Sequence, residues 1–188
     1  MTATLRREGE IYFDPIPEFA PLCKFRQSEA SEQQPVLFAQ IHWGLTCHWR
    51  GILDLNIQPR RLVMDTMTRA VTGPGLVKDL RLAEPDRFVN HAHIYGLLLL
   101  QPRGEDNWPD DTPGLLLPRR RFGNMFVTRV QNGTPMATRL RYYDIERRNL
   151  GTDHMGYSRS GWVVDEISID SPDFAQQGGR VGSYELPE

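Results

Sequence analysis

The stretch Asn124-Met125-Phe126-Val127-Thr128-Arg129-Val130-Gln131-Asn132-Gly133-Thr134-Pro135-Met136-Ala137-Thr138-Arg139-Leu140-Arg141-Tyr142-Tyr143-Asp144-Ile145-Glu146 decides the fold class. Asn-Gly is the dipeptide that best tolerates the positive φ angles of a tight hairpin turn. The residues on either side alternate between apolar and polar, as a strand with one buried face requires. Asn124–Gln131 and Thr138–Glu146 are therefore expected to pair as an antiparallel ribbon. Phe126 and Val130 share one face of the first strand, and Leu140 and Tyr142 share one face of the second. With those side chains inward, Arg129, Arg139, Arg141 and Tyr143 are left on the outer face.

The same period of two recurs outward from the ribbon. It is seen in Val36–Trp43, in Gly51–Ile57 (Leu53, Leu55 and Ile57 inward, Asp54 and Asn56 outward), in Leu76–Leu82 and in Trp162–Asp170. Phe88–Leu100 is long and mixed. Arg61–Val71 has apolar residues at helical spacing and suits a strand nearly as well. The expected class is mainly β, with α+β as the variant. The expected architecture is an antiparallel sandwich or barrel-like sheet with a Pro-rich N-terminal arm and at most one or two short helices. The core should include Leu53, Leu55, Ile57, Leu140 and Val163. Three segments are expected: an arm and polar loop over 1–34, a β-rich domain over 35–170, and an irregular tail over 171–188.

At 188 residues the chain is long enough to bury a core without disulfide or metal staples. The longest apolar run, Leu97–Leu100, is far short of a bilayer span. Cys23 and Cys47 belong to no metal or disulfide framework and read as reduced thiols. No secretory leader follows Met1, so the expected location is cytoplasmic. Twenty arginines against two lysines fit a GC-rich coding genome, and the expected source is bacterial or phage.

Charge is unevenly placed. Arg119, Arg120, Arg121, Arg129, Arg139, Arg141, Arg147 and Arg148 face only Asp144 and Glu146 between Thr112 and Arg148, a net charge of +6 in a chain whose total is −2. Arginines interleaved with Tyr143 on a ribbon suit phosphates and stacked bases. The alternative for these arginines is pairing with the acids that flank the stretch: Glu105, Asp106, Asp110 and Asp111 before it, and Asp153, Asp165, Glu166, Asp170, Asp173, Glu185 and Glu188 after it.

Two further readings compete. His91-Ala92-His93, read as a strand, would project both imidazoles from one face and seed a divalent transition-metal site in a β-barrel enzyme. The remaining ligands would have to come from His42, His48, His154 or a carboxylate. The other reading is a subunit of a larger assembly whose arm docks on a neighbour. No nucleophile elbow, phosphate loop or metalloprotease motif is present in the sequence. The reading favours a binding protein without a cofactor, engaging nucleic acid or an acidic protein surface and no membrane.

Overall fold

A computed structural model describes residues 5–26, 35–69, 73–79, 81–82, 84–118, 123–129, 135–144, 160–169 and 178–185. The hairpin expected from Asn132-Gly133 lies at the centre of one seven-stranded sheet. Its strands are β6 (Asn124–Arg129) and β7 (Pro135–Tyr143), paired antiparallel with Phe126 opposite Thr138. The turn itself falls outside the described residues. Strand β8 (Gly161–Ile167) flanks β7, and the short β3 (Phe38–Ile41) closes that edge in parallel with β8. On the other side come β9 (Arg180–Tyr184), parallel to β6, then β5 (Arg60–Met67) and the edge strand β1 (Leu5–Phe13). The spatial order is β1-β5-β9-β6-β7-β8-β3. A separate ribbon pairs β2 (Ile16–Phe19) with β4 (Asp54–Ile57).

The protein is mainly β. Its sheet is open and mixed rather than a closed antiparallel barrel, because β9 and β3 each lie parallel to a neighbour. The expected irregular tail supplies β9, an inner strand. The expected arm supplies β1, which pairs with β5 of the same chain. That edge is blunted by Arg6, Arg7, Glu8 and Glu10 and by a bulge between Arg7 and Gly9.

Helix enters in more places than the one or two expected. They are α1 (Pro21–Lys24), α2 (Trp43–His48), α3 (Gly73–Asp79) and α4 (His91–Leu100), with a 3-10 turn at Pro85–Arg87. Helix α4 shows why alternation failed as a guide. It is buried nearly all round, so no polar stripe marks its period. Its start is signalled instead by Asn90, whose Oδ1 accepts from the Ala92 backbone N–H at 2.8 Å. Gly96 lets Phe13 of β1 approach the helix: a Cβ there would meet the Phe13 ring at 2.6 Å. Leu76–Leu82, read as a strand, is mostly helix α3, and Arg61–Val71 is largely strand β5.

Core packs on both faces of the sheet. One face carries Leu62, Met64, Phe126, Leu140, Trp162 and Val164 beneath α4 and Trp49. The opposite face carries Met67, Met125, Val127, Ala137 and Val181 against Val77 and Leu82. This double cover is why β6 is buried along its length from Asn124 to Thr128.

The register of β4 is inverted from expectation. Ile57 is buried, but Leu53 and Leu55 are 50% and 59% exposed. Asn56 has a φ of 53°, in the left-handed region, and one such residue breaks the alternation that a regular strand would keep. Asp54 turns inward as a result and reaches Asn90 Nδ2 at 3.4 Å. Leu140 and Val163 are buried as expected.

Candidate functional site

On β7, Arg139 and Arg141 are two residues apart and so share a face of the sheet. Opposite Arg139 on β8 stands Asp165. Arg139 holds that carboxylate in a fork, with Nε to Oδ1 at 2.8 Å and Nη2 to Oδ2 at 2.9 Å. Arg141 Nη2 reaches the same Oδ2 at 2.7 Å. The arginine side chains are 16% and 23% exposed and the Asp165 side chain 14%. These distances are those of charge-assisted bonds, strengthened by the partly dry surroundings.

The arrangement corrects one expectation. Arg139 and Arg141 are not free on an outer face; they converge on an acid of the next strand. The apolar cluster of Met125, Val127 and Ala137 covers part of the same face. Both guanidiniums meet on the one carboxylate of Asp165. Tyr143 lies further along that strand, partly buried. On the other face Tyr142 meets Trp162 edge-on at 5.4 Å, the inward position expected for it. Arg119, Arg120, Arg121, Arg147 and Arg148 lie outside the described residues, and Arg129 is described only as part of β6. The chain enters β6 at Gly123, where a Cβ would meet the Arg141 side chain at 2.6 Å. In sequence the Arg119–Arg121 block stands immediately before this point.

His91 and His93 are not neighbours on a strand face. They occupy the first turn of α4, where residues two apart project about 200° from one another. His91 Nε2 accepts from Trp49 Nε1 at 3.3 Å and lies 3.4 Å from Thr138 Oγ1. His93 stacks on Phe13, ring centroids 4.6 Å apart, and its Nδ1 is 2.6 Å from the Tyr184 hydroxyl. The same hydroxyl oxygen accepts from the Asn90 backbone N–H at 2.8 Å, so its proton is free to be donated to His93. Burial lowers both imidazoles from their ordinary value to about 4, with Arg60 adding to the effect on His93. Burial also raises the Tyr184 hydroxyl well above the ordinary tyrosine value. Both histidines are therefore neutral parts of a packed polar network. Among the described residues no group of three or more His, Cys, Asp or Glu side chains could hold a metal ion.

Of the acids that precede the basic stretch, Asp106, Asp110 and Asp111 are exposed. Asp110 Oδ1 accepts from the Thr112 backbone N–H at 3.0 Å, a turn contact. Cys23 and Cys47 are both exposed free thiols, so they are not joined to each other. No helix among the described residues is long and apolar enough to cross a membrane.

Comparison with family models, curated proteins and solved structures finds no match to this chain.

Two features of the site escaped the sequence. Asp165 as the shared partner of both arginines depends on the β7–β8 register, which no local pattern fixes. The Tyr184–His93 contact joins residues 91 positions apart.

Proposed function

We propose that the chain is a non-enzymatic binding protein that engages nucleic acid phosphates through the arginines of residues 119–148. The observation that supports this reading is the pair Arg139 and Arg141 on a single carboxylate. Asp165 holds both guanidiniums at 2.7–2.9 Å, which fixes two arginines side by side on one strand within a stretch of net charge +6. Arg119–Arg121 and Arg147–Arg148 would supply the contacting cations, with Arg139 and Arg141 fixed by Asp165 as the rigid positive base. Rigid placement lowers the ordering cost that flexible arginines would otherwise add on binding.

The experiment is binding of single- and double-stranded DNA and RNA oligonucleotides at low salt by the wild-type chain and by a variant with Arg119, Arg120 and Arg121 replaced by Ser. Wild-type binding weakened in the variant is expected. A wild-type protein that ignores all four nucleic acids sinks the proposal and leaves an acidic protein surface as the partner for the same arginines.

A further inference from the structure

Trp43 is the most exposed large apolar side chain among the described residues, at 73%, and it belongs to neither core cluster. The other tryptophans serve the fold: Trp49 and Trp162 are buried, and Trp108 packs against the core. Trp43 opens α2, and helix geometry explains its exposure. Residues two apart on a helix project about 200° from one another, so the burial of Leu45 turns Trp43 outward. The short helix that carries it is braced at both ends. His42 Nδ1 accepts from the Gly44 backbone N–H at 3.3 Å, and Thr46 Oγ1 donates to Trp43 O at 2.7 Å. At the far end His48 Nδ1 pairs with Glu166 Oε2 at 3.1 Å, which ties the helix to β8.

Sheet register places this ring near the arginines. Ile41, Val164 and Leu140 stand in one row across β3, β8 and β7. The His42 backbone N–H donates to Val164 O at 2.8 Å, so α2 begins at that row. One step further along β8 is Asp165 with Arg139 opposite it, two strand spacings from β3, or about 10 Å. The two lie on different faces. Leu45 beneath Trp43 packs with the core under α4, whereas Arg139 and Arg141 share the face of Ala137. A ligand that reaches both must bend round the short edge strand β3.

We propose that the nucleic acid is single-stranded and that one of its unpaired bases stacks on Trp43. This rests on the nucleic acid reading above and names its substrate class. A duplex is stiff over about 50 nm and does not turn round one strand edge, whereas a single strand does. Stacking also needs a bare base face, which a duplex gives to its own neighbouring bases. A ring already held in place adds little ordering cost when the base arrives. Arg50, exposed just past the end of α2, supplies a cation for the adjoining phosphate.

The test is binding of oligothymidylate, oligouridylate and a mixed-sequence DNA duplex of the same length to the full chain at low salt, read by anisotropy and by tryptophan emission. The wild type should bind a single strand more tightly than the duplex, with its emission quenched; the tighter of the two single strands names the sugar. Trp43→Ala should weaken that binding by about 5- to 140-fold, the range for losing one stacked base. Its salt slope and urea midpoint should match the wild type, because stacking neutralises no phosphate and the ring is exposed. Trp43→Phe keeps a stacking face, so it should bind with intermediate affinity and without the quenching. A duplex bound as tightly as both single strands would overturn the inference and leave the arginine reading standing, as would single-strand affinity unchanged in Trp43→Ala. A wild-type chain that binds none of the three would overturn both.

Discussion

Arg139-Leu140-Arg141 and His91-Ala92-His93 have the same form: two basic side chains around one small or apolar residue. On strand β7 the arginines project together and converge on Asp165. On helix α4 the histidines diverge, His91 towards Trp49 and Thr138, His93 towards Phe13 and Tyr184. Backbone period decides whether such a pair acts as one site or two. Burial then decides its charge. The guanidiniums stay ionised because a carboxylate compensates them, whereas among the described residues the imidazoles meet Trp49, Thr138, Phe13 and Tyr184 rather than an acid, and burial keeps them neutral.

Acid should expose that difference with the largest effect. The unfolded imidazole ordinarily binds its proton near pH 6.5, and the folded pKa of His91 and of His93 is lowered to about 4. Below pH 6.5 the unfolded chain binds more protons than the folded one. The stability tied to neutral histidine is thus complete above that pH and is lost as pH falls from 6.5 to 4. A shift of this size corresponds to about 3 kcal/mol for each histidine. Urea midpoints measured across this window should fall steeply with acid; a flat profile would mean that the histidines are solvated.

Breaking the arginine pair comes next. Asp165→Asn removes the shared charge while keeping the shape, and leaves Arg139 and Arg141 facing one another in a largely covered place. The expected loss is about 3 kcal/mol, read by urea unfolding at neutral pH. A loss below about 0.5 kcal/mol would show the cluster to be solvent-screened.

The hairpin was legible in the sequence because the alternation on either side of Asn132-Gly133 is a local signal, and β6 and β7 pair antiparallel as it requires. Helix α4 was not, since a continuous apolar run fits a buried strand and a buried helix alike until Asn90 is read as a cap. Strand β9 was hidden for another reason. Val181-Gly182-Ser183 has little apolar bulk, and Gly182 is needed where the Phe126 ring and the Met64 sulfur press on the backbone. For the site, the spacing of Arg139 and Arg141 was readable. Their shared acid was not, because it depends on register between β7 and β8.

A smaller effect separates the two leucine environments. Leu140→Ala, at a fully buried position facing Trp162 and Val164, should cost about 2–5 kcal/mol. Leu55→Ala, beyond the left-handed Asn56, should change stability by no more than about 0.5 kcal/mol. Equal losses in thermal or urea unfolding would put Leu55 in the core and undo the account of β4.

The most direct test of the central claim is the salt dependence of oligonucleotide binding. Each phosphate neutralised by an arginine adds about 0.7–0.9 to the slope of log affinity against log salt. Fluorescence anisotropy of a labelled single strand should give a steep negative slope for the wild type. Replacing Arg119, Arg120 and Arg121 with Ser should reduce that slope by about 2–3 with the urea midpoint unchanged. A wild-type slope near zero, or a slope unaltered by removing the three arginines, would contradict it.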